Sequence, residues 1–273
     1  MYSQIDRRRR RRTSLIVSVL IVIAILTPLL PLVIWSVAYR WYFPDLLPAQ
    51  SSLRAWRYLF SGNAKTGQGL LQGTLIAIST TALSLLVGVP AGRALGLHEF
   101  KGKKWVHFFI LAPTIVPSIA VVMGIHILFI KLRLTGTLIG VILVHLIPTM
   151  PYVTMVMSSV FANYQPEYEE QARTLGARWW HIGWHITLPA ILPGLVVGGM
   201  FAFIISWEQY LLTVLIGSGQ VITLPVLLFS FAGSGNKSVT AALCLLFVAP
   251  SLLILLVSAR YLTGENAAIR GVH

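Results

Sequence analysis

Residues 190–216 read AILPGLVVGGMFAFIISWEQYLLTVLI, an apolar run whose one charged residue is Glu208. A bilayer core takes about 20 apolar residues at ~1.5 Å rise each, so this run is long enough to cross one. Five further runs share its length and character: 15–37, 70–92, 105–130, 136–160 and 238–259. The whole chain agrees with them. Of its 273 residues 56% are hydrophobic and 11% charged, with a mean hydropathy of +0.78. Soluble domains carry about 25% charged residues, and this chain has too little polar surface to cover a soluble fold. The reading is an all-α membrane protein of six transmembrane helices.

The run at 15–37 follows basic residues, as in a signal peptide, but its 23 positions exceed the ~7–15 of a signal core. No A-x-A cleavage site follows, so it is expected to stay in the membrane as a span. The net charge of +13 suggests a nucleic-acid binder until its distribution is read. Six cations form one block, Arg7 to Arg12, directly ahead of the first span, and no aromatic-studded basic domain accompanies them. Such a block sets topology and touches anionic lipid rather than nucleic acid. With the N-terminus inside, 14 Lys and Arg fall inside and 7 outside. Six spans then return the C-terminus to the inside, giving N-in and C-in. The map is a basic N-terminus over 1–14, span one over 15–37, an outer loop over 38–69, a five-span core over 70–260 and an inner tail over 261–273. The outer loop carries Trp41, Tyr42, Trp56 and Tyr58, expected as an interfacial aromatic belt. One cysteine, Cys244, excludes a disulfide framework and a Cys-based metal site.

The inner loop over 161–189 is long and polar and holds three of the eight acidic residues, Glu167, Glu169 and Glu170. They fall early in a predicted short helix, where carboxylates complement the dipole. Ala172 lets another surface come close, and Gly176 can take the positive φ that ends a helix. A second short helix is predicted from about Arg178, and Pro189 sits where span five can begin.

In one-letter form the loop runs EQARTLG over 170–176, then nine residues, then ITLP over 186–189. This resembles the EAA loop of ABC-importer permeases: E-A-A, three residues, G, nine residues, I-x-L-P. Glu170, Ala172, Gly176, Ile186, Leu188 and Pro189 fall on the specified positions, with Gln171 replacing the first alanine. The resemblance implies the type I importer permease fold in a bacterial inner membrane. It also implies partners: a cytoplasmic ATPase dimer seated on this loop, a second permease subunit forming a heterodimer, and an extracytoplasmic solute-binding protein. Six spans, Pro113 and Pro117 in span three, and the stretch 206–209 followed by Thr223-Leu224-Pro225 resemble the second permease of polyamine-type importers. Relatives of that group serve opines, phosphonates, thiamine and ferric iron.

Glu208 lies eight residues from the outer end of span five, roughly 12 Å deep at ~1.5 Å per residue. A carboxylate there must face water, a ligand or a partner charge. It reads either as a cation-attracting group of the translocation path or as the structural partner of a neighbouring His or Arg. Trp207 and Tyr210 could add cation–π contacts to it, and Gln209 stands where polyamine permeases carry a second acid. One carboxylate suits a monocation or zwitterion nearly as well as a polycation. His126 and His145, in spans three and four, are each within the bundle and could meet Glu208. Lone membrane histidines are equally read as hydrogen-bonded packing residues. Pro113, Pro117, Pro148 and Pro151 predict kinked spans three and four, while Gly194, Gly198 and Gly199 predict close helix packing.

No G-x-x-x-x-G-K-[ST] loop occurs, and the fragment GSGNKS over 233–238 lacks its second glycine. The chain is therefore expected to be a non-enzyme that binds no cofactor of its own, ATP and Mg²⁺ belonging to the partner ATPase. The alternative is an ion-coupled secondary transporter with Glu208 and His145 as its proton site.

Overall fold

The computed structural model describes residues 23–24, 27–41, 45 and 48–262. Residues 15–22 and 25–26 of the expected first span, Tyr42, the Arg7–Arg12 block and nearly all of the tail lie outside the described residues. The chain divides into two compact units.

The first unit comprises residues 1–66 and 228–248. Its described part begins with α1 (Leu29–Val37), followed by a two-stranded antiparallel hairpin, β1 (Ala38–Tyr39) and β2 (Gln50–Ser51), and α2 (Arg54–Phe60). Ser238 Oγ donates to the Ala38 carbonyl at 2.9 Å, tying the hairpin to the helix that begins at Lys237. Trp35 stacks on Trp41 with centroids 4.3 Å apart, and Tyr58 meets Phe231 edge-on.

The second unit comprises residues 67–227 and 249–273. Its helices are α3 (Thr66–Leu97), α4 (Lys103–Ile115), α5 (Ser118–Lys131), α6 (Leu138–Ala162), α7 (Glu167–Thr174), α8 (Trp179–Ile182), α9 (Leu188–Trp207) and α10 (Leu211–Gly217). Then come α11 (Leu224–Gly233) and α12 (Lys237–Leu262), which contribute residues to both units. Four helices among the described residues are long and apolar enough to cross a membrane: Thr66–Leu97, Leu138–Ala162, Trp179–Trp207 and Lys237–Ser258. The pair α4 and α5 makes a fifth if counted as one span.

Within the expected kinked span over 105–130 the helix breaks into two, which meet at 98°. The cause is Pro117, which forces the residue before it out of helical geometry. Val116 accordingly sits at ψ 133° and Pro117 at ψ 128°. Pro148 and Pro151, by contrast, both lie inside α6, which runs unbroken over 25 residues.

Two close approaches set the core of this unit. Gly88, Gly92 and Gly96 line one side of α3 at four-residue spacing and face α6. A Cβ on Gly96 would stand 2.6 Å from the Ser158 carbonyl, and one on Gly92 would strike Met157, so the two backbones touch where side chains normally intervene. At the other end, a buried cluster joins Val122 and Phe129 of α5, Val141 and Val144 of α6, and Leu212 and Ile216 of α10.

Candidate functional site

The loop between α6 and α9 is held at its base by a buried carboxylate. Glu169 retains only 4% of its surface exposed. Its Oε2 accepts from Arg93 Nη2 at 2.7 Å, and its Oε1 accepts from Arg93 Nη1 at 3.1 Å, Tyr164 Oη at 2.7 Å and Thr187 Oγ1 at 2.7 Å. Arg93 comes from α3, Tyr164 follows α6, and Thr187 immediately precedes α9. One carboxylate thus fastens three segments to the start of α7. Burial works against the ionised form, but the hydrogen bonds from Arg93, Thr187 and Tyr164 outweigh it and hold the Glu169 pKa down at about 2. The Arg93 guanidinium also lies over the Phe161 ring at 5.6 Å.

Above that base the segment is open. Glu170 is exposed, as are Arg173 and Gly176, while Ala172, Ile186 and Leu188 are half-buried and Pro189 is exposed. Leu175 and Trp179 stand 87% and 83% exposed. Gly176 takes φ +83° and ends α7. Its N–H bonds to the Arg173 carbonyl and that of Ala177 to the Ala172 carbonyl, the paired pattern that a left-handed residue after a helix allows. Arg93, Arg173 and Trp179 line a cavity of about 370 Å³ beside the clamp.

The helix that carries Pro189 begins ten residues before it, at Trp179. Helix runs continuously from Trp179 to Trp207, through a widened π turn over Gly183–Thr187 in which the Leu188 N–H reaches the Gly183 carbonyl. Pro189 has no N–H and would crowd the His185 carbonyl in a regular turn; the wider turn relieves that. The second short helix, α8, and the membrane-length helix are therefore one rod, while α7 stands apart from it.

The same rod breaks where Glu208 stands. α9 ends at Trp207, and α10 restarts at Leu211. His145 of α6 bridges the break: Nδ1 pairs with Ser206 Oγ at 2.9 Å and Nε2 with Thr213 Oγ1 at 3.1 Å. Thr213 Oγ1 also donates to the Gln209 carbonyl at 2.7 Å. His145 is fully buried, and its own carbonyl accepts from Thr149 Oγ1, which pairs with Ser84 Oγ of α3 at 2.8 Å. Irregular backbone at membrane depth is tolerated where protein or a water-filled cavity satisfies it, and this polar chain does so. Trp207 is buried against Gly73. Gln209 and Tyr210 are half-buried, and Glu208 is exposed. The structure thus brings His145 to Ser206 and Thr213, whereas Glu208 makes no ion pair among the described residues. His126 is half-buried in α5. Gly194, where a Cβ would strike Val160, and Gly199, 3.5 Å from Leu85, lie at helix contacts.

Sequence reasoning missed the clamp of Arg93, Tyr164, Glu169 and Thr187, reading Glu169 only as a carboxylate that complements a helix dipole. One signal was present: Arg93 falls just past the expected end of an apolar run and needs a carboxylate, and the acids of 167–170 supply the candidates.

The family model for the binding-protein-dependent transport system inner membrane component matches residues 88–264. PhnV of Salmonella typhi, named as permease of a 2-aminoethylphosphonate transport system, is 29% identical over 249 residues, covering 90% of this chain and 93% of that protein. The molybdenum transport system permease ModB of Mycobacterium tuberculosis is 27% identical over 228 residues, covering 78% and 86%. Among solved structures, a bacterial ABC transporter involved in import of the acidic polysaccharide alginate superposes with a TM-score of 0.72 at 17% identity, covering 93% and 96%. A second structure of a bacterial alginate transporter, in complex with a periplasmic protein bound to alginate pentasaccharide, gives 0.56.

Proposed function

The chain belongs to the binding-protein-dependent transport system inner membrane components and is a permease subunit of an ABC importer; from that premise we propose how its two sites serve transport. Residues 167–189 are the coupling segment, seated on a cytoplasmic ATPase dimer that binds the ATP and Mg²⁺. A second permease subunit completes a heterodimeric pathway, and an extracytoplasmic binding protein delivers cargo. The chain crosses the bacterial inner membrane six times with both ends inside.

The observation that carries this reading is the Glu169 clamp: a segment locked at its base, with Leu175 and Trp179 left bare above it. Exposed large apolar side chains beside charges mark a partner surface. A displacement of that surface reaches α3 through Arg93 and α9 through the unbroken rod. Transport then follows from the different affinities of two states for ligand, with no chemistry on the cargo.

The cargo is a small solute bearing an oxyanion, of phosphonate type, with or without an amine. Relatives named for an aminophosphonate and for molybdenum, and an alginate importer of the same fold, support an anionic group. The polyamine expectation finds no counterpart among these relatives. Glu208 alone, with Gln209 beside it, suits the amine of a zwitterion. The ion-coupled carrier has no support: His145 spends both ring nitrogens on hydroxyls.

The test is co-purification with the ATPase encoded nearby, wild type against Gly176→Asp, together with uptake of 2-aminoethylphosphonate and of putrescine. Wild-type capture of the ATPase, weakened or uncoupled in the variant, is expected, with uptake of the phosphonate. Failure of the wild type to capture an ATPase would sink the coupling reading; uptake of putrescine alone would sink the cargo reading.

A further inference from the structure

The first unit holds a cavity of about 430 Å³ that neither transport site uses. It is lined by polar groups from three elements: Tyr39 of the hairpin, Ser52, Arg54 and Tyr58 at and within α2, and Asn236 and Ser238 at the start of α12. The last two belong to GSGNKS, the fragment that fails as an ATP-binding loop.

The chemistry of that lining is one-sided. No acid is among the described lining residues. Arg54 forms no ion pair among the described residues, and its guanidinium rests over the Tyr39 ring at 5.9 Å, leaving its edge of N–H donors open. Ser52 Oγ accepts from the Arg54 backbone N–H at 3.2 Å, so its own hydroxyl hydrogen is available. Asn236 uses Oδ1 to cap α12 at the Val239 N–H, which leaves its amide nitrogen as a donor. Ser238 is turned to the Ala38 carbonyl and fixes the wall. Arg40 also lies over the Tyr39 ring, at 5.5 Å, and adds positive potential. A cavity with a forked cation, several neutral donors and no carboxylate is complementary to a compact oxyanion.

We infer that this cavity is a binding site for a phosphate- or phosphonate-type oxyanion, with Arg54 as its counter-charge and Ser52 and Asn236 as orienting donors. Two sources supply such a group, a small soluble solute and a lipid headgroup, and the test separates them. The inference rests on this cavity alone and stands whether or not residues 167–189 couple to an ATPase.

The experiment uses the full chain, purified, with ³¹P NMR of two probes: methylphosphonate added to protein in neutral detergent, and phosphatidylglycerol added to the same delipidated sample. The variants are Arg54→Gln, Arg54→Lys, and Arg57→Gln, a neighbouring exposed arginine outside the lining. A soluble-solute site broadens the methylphosphonate signal in wild type; Arg54→Gln weakens binding by about tenfold or more, Arg54→Lys by less, and Arg57→Gln leaves it unchanged. The same pattern for phosphatidylglycerol alone assigns the oxyanion to lipid. Absence of Arg54-dependent binding of either probe overturns the inference, as does equal loss in Arg54→Gln and Arg57→Gln, which signals diffuse charge. Thermal melts of each variant verify that the fold is retained.

Discussion

Arg93 and Glu169, separated by 76 positions in sequence, meet through two hydrogen bonds of 3.1 and 2.7 Å, so the end of α3 and the start of α7 form one joint. The adjacent Glu170, the acid that the EAA spacing selects, faces solvent instead. Neighbouring carboxylates on one short helix thus differ in environment: one holds the segment to its own protein, and the other is left exposed.

Glu169→Gln and Arg93→Gln should each destabilise the fold by about 1–3 kcal/mol, the range for removing one partner of a hydrogen-bonded charge pair that is partly screened. The screening enters because the Arg93 side chain is 36% exposed. The double variant should cost less than the sum of the two, which melts in nanodiscs will read as a coupling energy. Glu170→Gln should leave the melt unchanged and weaken ATPase capture. Equal stability of the Glu169 and Glu170 variants would remove the clamp from the account.

The clamp also sets a pH dependence. Glu169 titrates at about 2 in the folded protein, below the ~4.3 of an unfolded chain. Its contribution to stability is therefore complete above about pH 4.5 and is lost as pH falls from there toward 2. Hydrogen exchange of residues 167–174 should stay flat from pH 7 to 5, after correction for intrinsic rates, and rise steeply below 4. In Glu169→Gln that acid-dependent rise should be missing.

His145→Leu leaves Ser206 and Thr213 without their shared partner at the break between α9 and α10. A cost of about 1–3 kcal/mol is expected for orphaned buried hydroxyls. The lower end applies, because Thr213 already donates to the Gln209 carbonyl. Glu208→Gln, at an exposed position, should leave the melt unchanged while slowing uptake of an amine-bearing cargo. Normal uptake by that variant would dismiss Glu208 from the path.

Gly92→Val should prevent α3 and α6 from closing, since even a Cβ there strikes Met157 and approaches the Ser158 backbone nitrogen at 2.8 Å. Overpacking of this kind costs about 1–3 kcal/mol or more. Gly67→Ala, on the same helix with open space around it, should be neutral or slightly stabilising. Expression level and melting temperature of the two variants check the contrast.

Composition and run length made the helical membrane class legible, and motif spacing singled out 170–189 within the polar loop over 161–189. Gly176 was also legible, because a glycine six residues after the EAA acid has few other uses than a positive φ. Two features escaped. The break at 208–210 escaped because the run over 190–216 is long enough for one continuous span, so Glu208 and Gln209 read as polar groups on an unbroken helix. The clamp escaped because three acids within four positions look alike in sequence, and burial distinguishes them. Helical rotation of about 100° per residue turns Glu169 inward and Glu170 outward.

The glycine seam of α3 constrains how this chain can change over generations. Gly88, Gly92 and Gly96 keep their place on one side only while their spacing holds. One residue inserted or deleted within 88–96 swings everything beyond it by about 100° around the helix axis. That turn carries Arg93 or its neighbours away from the side on which Glu169 waits. Loops such as 98–102 can lengthen or shorten without such a penalty. Lineages of this protein are therefore expected to differ freely in loop length and in the side chains that meet cargo, yet to share an unbroken reading frame of small residues where one backbone lies on another.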